Sequence, residues 1–331
     1  MLSTPPHDSS PAIVTRIRKP GSPADRIGGL ATVAYITFIA CVARLTGFEY
    51  ALFPELGALA HDILKRPHGT WAKAPLMLIV TPFATAVIGT LITRHFAYGF
   101  ISVFATVGGA ILIIRVLSSP IAPAISAGLL PLTLGVTSWW YPPSILFSTG
   151  LLALIAVARQ RLMPPPEIVE TLRDRTDDVM EQAPADYSWI PFFLAFLVLD
   201  LALVSITDWR FLLFPPLVVI GFEMFAHTSV CPWAKRSLVL PVACLLNAAI
   251  GVVLVSFFGN GPVIAGCSVA LGALILRIFD LHAPPVLAVG LLPFTMAAPD
   301  YRFALSAGIG TALLTTIFLL WRKLSLQLAT H

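Results

Sequence analysis

Four short phrases in the sequence pair proline with the start of an apolar helix, and such a start can bind an anion. The phrases begin at Phe53, Ala122, Phe214 and His282, and each has a glycine about one turn further on. Proline suits the first helical turn because its missing N–H group would have no partner there. We therefore expect free backbone N–H groups and the positive end of a helix dipole at each start. The predicted anion-binding positions are Pro54, Gly57, Pro123, Gly128, Pro215, Pro216, Gly221, Pro284, Pro285 and Gly290. The alternative is that these prolines and glycines only help helices to pack, since both residues are common in membrane helices.

Two arginines lie near the ends of apolar segments, each shortly before one of the proline phrases. Arg115 precedes the second phrase and Arg277 precedes the fourth. A guanidinium group keeps its charge in proteins, and its planar fork matches oxyanions. We predict that the pair forms anion gates at the cytoplasmic mouth of a path. The alternative is that each side chain reaches out to lipid headgroups and anchors its helix.

Three titratable residues near the phrases are candidates for proton coupling, namely Glu55, Glu223 and His282. An acid inside a membrane protein can relay protons, or it can pair with an arginine. The sequence has no GxxxxGK[ST], GxSxG or HExxH motif, and its four cysteines lack metal-binding spacing. We therefore predict neither an enzyme nor a cofactor or metal site.

The elements that position these residues are apolar segments suited to a lipid bilayer. Hydrophobic residues make up 57% of the 331-residue chain and charged residues 11%, and the mean hydropathy is +0.87. A soluble domain carries about 25% charged residues, so we predict an all-α polytopic membrane protein. Twelve apolar segments span roughly 28–47, 52–64, 75–93, 99–116, 122–137, 144–158, 189–207, 212–226, 238–258, 262–278, 284–298 and 303–321. Segments that open with a proline phrase fall short of the about 20 residues that cross a membrane, which predicts broken or half helices.

The two halves of the chain are predicted repeats. Trp71, Arg115 and Gly128 each correspond to the same residue type later in the chain, at positions 233, 277 and 290; the differences 233 − 71, 277 − 115 and 290 − 128 are each 162. Below, residues that differ by this offset are called equivalent. Six segments in each half make the repeats parallel, and the phrases in segments two and five suggest a nested inverted repeat.

The predicted organisation is a membrane repeat at 28–158 and another at 188–323, joined by a charged cytoplasmic linker at 159–187. Cytoplasmic tails are expected at 1–27 and 324–331. Basic residues cluster in the N-terminal tail, in the linker, at Arg322-Lys323 after the last segment and in the loops that twelve crossings place on the same side, which indicates that both termini are cytoplasmic. The expected setting is a bacterial inner membrane.

The second half, about 212–294, resembles the HPP family of small integral membrane proteins, which is named for a His-Pro-Pro motif. The resemblance is carried by Leu213 to Pro216, the run from His227 to Arg236, the helix from Leu246 to Gly251, and His282-Ala283-Pro284-Pro285, where an alanine is inserted into the motif. The first half is similar to a more divergent copy. Some members of this family are implicated in nitrite transport, so the resemblance implies anion transport.

These observations predict a secondary transporter or channel for a small inorganic anion, with nitrite favoured. The expected partners are the anion and the lipid bilayer, and a homodimer remains open beside a monomer; the net charge of +4 has no long basic run that would suggest nucleic acid. One alternative is a carrier for an organic acid or an apolar solute. Another is a membrane scaffold that transports nothing. A membrane enzyme is the third, and no visible residue set favours it.

Overall fold

A computed structural model describes residues 23–162 and 187–328 of the chain. Most of the predicted N-terminal tail, residues 163–186 of the predicted linker and the last three residues lie outside the described residues. Within the described ranges all regular secondary structure is helical, as the sequence predicts.

The helices follow the same order in both halves, except that one single-turn helix of the first half corresponds to a 3₁₀ turn in the second. In the first half these are α1 (Pro23–Thr46), α2 (Glu55–Lys65), the single turn α3 (Thr70–Lys73), α4 (Pro75–His95), α5 (Phe100–Val116), α6 (Ala124–Leu134) and α7 (Tyr141–Leu162). In the second half they are α8 (Ile190–Thr207), α9 (Pro215–Ala226), α10 (Leu240–Phe258), α11 (Pro262–Ile278), α12 (Pro285–Leu291) and α13 (Tyr301–Leu328). Short 3₁₀ turns at Glu49–Ala51, Arg210–Leu213, Trp233–Val239 and Leu292–Thr295 connect some of them.

Six of these helices are long and apolar enough to cross a membrane, namely α1, α4, α7, α8, α10 and α13. The other principal helices are shorter, and the order in both halves is long, short, long, short, short, long. The chain is therefore a multi-pass membrane protein. Its outer surface agrees with this, because large apolar side chains such as Leu45, Ile206 and Phe257 are about 80% exposed on the spanning helices. These apolar side chains lie on the surface where lipid would contact the protein, whereas hydroxyl side chains such as Thr85 and Ser144 are buried between helices.

The short helices complete crossings that begin as irregular backbone. After α1 ends, residues 47–54 turn back into the protein, where Leu52 and Phe53 are buried. Helix α2 then runs back beside α1, and Lys65 at its end forms a 3.0 Å ion pair with Asp25 at the start of α1. Irregular backbone at membrane depth is tolerated only where protein covers it, and the burial of these residues meets that condition.

The two halves interlock through their short helices. Helix α1 packs against α11 and α2 packs against α12, while α9 contacts both α6 and α12. The four proline-initiated helices α2, α6, α9 and α12 therefore lie together at the centre of the molecule, enclosed by the long helices.

Candidate functional site

A small cavity lies where the two halves meet, at the starts of α6 and α12 and the ends of α2 and α9. Its volume is ≈ 20 Å³, which is room for about one water molecule. The residues that line it are Asp62, Arg66, Trp71, Pro123, Val219, Glu223, Trp233, His282, Pro284 and Pro285. Both halves contribute, and the charged or imidazole side chains among the lining residues, Asp62, Arg66, Glu223 and His282, lie in a wall that is mostly apolar.

The cation of this cavity is Arg66, which follows the last turn of α2. Its side chain is only 11% exposed, and that of Asp62, one turn earlier, is 4% exposed. The Nε and NH2 groups of Arg66 both lie 2.8 Å from Oδ1 of Asp62. The backbone N–H of Arg66 also donates to the Asp62 carbonyl at 2.7 Å. Because the ion pair joins consecutive turns, the end of α2 holds the guanidinium against the cavity wall.

The second acid of the cavity is Glu223, on the last turn of α9. Its Oε2 atom lies 3.9 Å from Nε2 of His227, one turn later, which is too long for a hydrogen bond. Burial lowers the pKa of His227 to about 4, so this imidazole is neutral at pH 7. His227 therefore forms no ion pair with Glu223 at neutral pH.

Two equivalent tryptophans, Trp71 and Trp233, form part of the wall. The indole Nε1 of Trp71 donates to the carbonyl of Pro120 at 2.9 Å, and that of Trp233 donates to the carbonyl of Ile220 at 3.3 Å. Both donors are directed to backbone, so the rings present apolar faces. In the sequence these tryptophans indicated only the repeat offset and were not predicted as site residues.

The helix starts do not have the free N–H groups that the sequence led us to expect. In α6 the N–H groups of Ile125 and Ser126 donate to carbonyls three residues earlier, at 3.0 and 3.1 Å. In α12, Val286 and Leu287 do the same, both at 3.0 Å. The starts of α2 and α9 contain similar bonds, at Leu56, Gly57 and Leu217. That part of the prediction is wrong, because a tight first turn satisfies the donors from within the proline phrase itself. The helix dipole remains.

The ten predicted anion-binding positions are divided between the cavity and the helix contacts. Pro123, Pro284 and Pro285 line the cavity, whereas Pro54, Pro215 and Pro216 do not. None of the four glycines lines it either. Gly57 and Gly221 face side chains of α12 and of α8 and α13, and Gly128 and Gly290 take part in close helix packing described in the Discussion. The four glycines therefore lie at contacts between helices, as the packing alternative predicts.

Among the predicted proton-coupling residues, Glu223 and His282 line the cavity, whereas Glu55 does not. Glu55 is 1% exposed at the start of α2, where it accepts a hydrogen bond from the hydroxyl of Ser126 on α6. Its Oε2 atom has no hydrogen-bond partner among the described residues. Tyr141 interacts electrostatically with Glu55 and donates its hydroxyl to the carbonyl of Ala127 at 2.7 Å. The bond to Ser126 brings the starts of α2 and α6 together.

The predicted arginine gates are on the outside of the protein. Arg115 is exposed and its guanidinium lies 4.8 Å from the centre of the Tyr187 ring. Arg277 is also exposed, and neither residue lines the cavity. Both side chains are on the surface because they occupy the outward faces of α5 and α11.

Arg66 was not predicted as a site residue, because in the sequence it belongs to the basic residues that indicate a cytoplasmic loop. A signal was available, since Asp62 and Arg66 are spaced for an ion pair within a helix. In the part of the chain that the structure describes, no group of three or more His, Cys, Asp and Glu side chains is arranged to hold a metal ion. No protein family, curated protein or solved structure was found to match the chain.

Proposed function

We propose that the chain is a secondary transporter or channel for a small inorganic anion and that the anion binds at Arg66. The observation that carries the proposal is a nearly buried guanidinium in a cavity shared by both halves of a membrane protein. A charged residue inside a membrane protein commonly marks an ion path. Nitrite is the favoured anion because of the resemblance of the second half to the HPP family.

The charges of the cavity link anion binding to protonation. Arg66 is paired with Asp62, and the carboxyl group of Glu223 lines the same cavity. An anion that joins Arg66 would therefore repel two carboxylates unless at least one of them takes up a proton. We propose that Glu223 or Asp62 accepts that proton, with Glu55 and His282 as further carriers, so that anion and proton move together.

The proposed setting is a bacterial inner membrane with both termini in the cytoplasm. Basic residues at one end of the molecule support this orientation, among them Lys65, Lys235 and Arg322. The cavity at Arg66 lies toward the same end, so the conformation described here would receive its anion from the cytoplasmic side.

The proposal is tested by anion influx into proteoliposomes, comparing nitrite, nitrate, chloride, formate and bicarbonate. We expect influx of at least one anion that is faster at pH 6 than at pH 8 and that acidifies the lumen. Arg66→Gln should slow it about tenfold to 100-fold, because it removes a charge-assisted hydrogen bond to the anion. Arg277→Gln is the matched control and should stay within about twofold of the wild type.

Two results would contradict the proposal. If the folded protein carries none of the five anions, transport of a small anion is excluded. If Arg66→Gln transports as well as the control, the site is elsewhere.

A membrane scaffold is the second candidate, and the small size of the cavity favours it. A volume for about one water molecule is less than a static anion path requires. The same flux assay separates the candidates, since a scaffold moves no anion. The organic-acid alternative would require a wider pocket than this cavity, whose volume is ≈ 20 Å³.

A further inference from the structure

The two halves differ at the end of the molecule where α7 and α13 stop. In the first half, a guanidinium N–H of Arg159 donates to the carbonyl of Leu64 at 2.6 Å. The amide of Gln160 donates to the carbonyls of Pro67 and Ala72 at 2.9 and 2.8 Å. These three hydrogen bonds hold the end of α7 against the loop that follows α2, and they close the space between them.

The equivalent space in the second half is open. Trp321 and Arg322 stand at the positions equivalent to Arg159 and Gln160, and neither forms a hydrogen bond to the loop after α9 among the described residues. A cleft of ≈ 480 Å³ lies there, and its lining includes Ser229 and Ala234, the equivalents of Pro67 and Ala72. The cleft thus occupies the place where the amide of Gln160 closes the first half.

Aromatic packing explains why Trp321 cannot close the cleft. Its ring lies 5.3 Å from the ring of Phe225 and 5.8 Å from that of Phe318, measured between centroids. A third neighbour, Phe192, lies at 5.5 Å. These contacts hold the indole against the end of α9, so the side chain forms the floor of the cleft instead of reaching the loop.

The chemistry of the cleft is cationic and hydroxylated. Lys235 and Arg322 line it from opposite elements, both are exposed, and neither forms an ion pair within the described part of the chain. Ser229 is also in the lining, together with Thr228 and Ser325, whose hydroxyl groups donate to backbone carbonyls of the preceding turn. The Lys235 ammonium and the Arg322 guanidinium, with the hydroxyl group of Ser229 in the same lining, match the charge and the acceptor oxygens of a phosphate.

We propose that this cleft binds the phosphate of an anionic phospholipid headgroup. The volume is within the range of ligand sites, and basic clefts between membrane helices bind such headgroups. The cleft lies at the end of spanning helix α13, where Leu320 and Leu324 are 57% and 50% exposed toward lipid. Tryptophan at this level is typical of the membrane interface. A lipid can therefore place its headgroup in the cleft and its acyl chains on the adjoining apolar surface, which a soluble phosphate cannot do.

The test compares lipid retention by the full-length protein, using native mass spectrometry with phosphatidylglycerol and phosphatidylcholine. We expect phosphatidylglycerol to be retained preferentially, and the double variant Lys235→Ala with Arg322→Gln to bind it about 30-fold more weakly, from about 1 kcal/mol for each basic side chain. The glutamine copies the residue that closes the first half. The matched control is Lys73→Ala with Lys323→Ala, which removes the same charge at exposed positions outside the cleft and should keep the wild-type preference.

A competition measurement distinguishes binding of a lipid from binding of free phosphate. Inorganic phosphate and glycerol phosphate should compete only weakly, because they lack the acyl chains. Competition at the affinity of the lipid would overturn the assignment to lipid, and equal lipid retention by the double variant and its control would overturn the site. The transport assay is independent of both results, since Arg66 does not line this cleft.

Discussion

At the scale of single residues, the first half contains a buried polar group that the second half lacks. Glu55, Ser126 and Tyr141 lie together at the starts of α2, α6 and α7. Their equivalents are Leu217, Ala288 and Phe303, which are all apolar. One half therefore shows that the fold can be built without this polar group, and the other half keeps an acid whose burial is costly.

We expect Ser126→Ala to destabilise the protein by about 2 kcal/mol, because it removes the hydroxyl group that donates a hydrogen bond to the buried carboxyl group of Glu55. The triple variant Glu55→Leu, Ser126→Ala and Tyr141→Phe installs the second half's residues and should lie within about 1 kcal/mol of the wild type or above it. Thermal unfolding in detergent measures both. A triple variant less stable than Ser126→Ala would show that the polar group itself holds the helices together.

The same triple variant reports on proton coupling. If Glu55 carries the coupled proton, anion influx by this variant proceeds without acidification of the lumen. If Glu223 or Asp62 carries it, acidification stays at the wild-type ratio.

At the scale of helices, close backbone contact holds each half together. Helix α4 crosses α6 where Gly89 meets the carbonyl of Gly128, and α10 crosses α12 where Gly251 meets the carbonyl of Gly290. Both members of each pair are equivalent across the halves. A Cβ atom on Gly89 or Gly251 would overlap the facing carbonyl oxygen. Small residues allow such approach in membrane helices, where van der Waals packing drives association.

Alanine at either crossing should therefore destabilise the protein. We expect Gly89→Ala and Gly251→Ala each to cost about 1–3 kcal/mol, since backbone must shift to admit the methyl group. Gly108→Ala is the control, because a Cβ at that helical position meets nothing within 4 Å. Thermal unfolding in detergent should separate the two crossing variants from the control. Equal melting temperatures for all three would mean that the crossings are more widely spaced than described.

At the scale of the whole molecule, the sequence predicts the helices well because lipid imposes long apolar segments. The segments at 75–93 and 262–278 correspond to helices Pro75–His95 and Pro262–Ile278. The phrases also indicate broken crossings, since proline fixes the place where α6 and α12 start.

The site was less predictable, because side-chain directions depend on packing between the halves. In the sequence Arg66 resembles any other basic loop residue. In the structure the end of α2 places its side chain in the lining of the shared cavity. Arg115 and Arg277 have the spacing of a symmetric gate, yet both face outward. The bonding of the N–H groups at the helix starts depends on local turn geometry, which an apolar pattern does not record.

The interlocked halves lead to a prediction about the covalent link between them. Helix α2 packs against α12, and α9 packs against α6, so each half completes the core of the other. We expect that cleavage at a protease site inserted between residues 170 and 180 leaves the two fragments associated in detergent, because the buried contacts survive the cut. Size-exclusion chromatography should show one peak that contains both fragments at the wild-type elution volume. Each half expressed alone should aggregate or be degraded, since its short helices would lack their partners. Separate, monodisperse fragments after cleavage would show that each repeat folds on its own and that the central cavity is a contact between independent units.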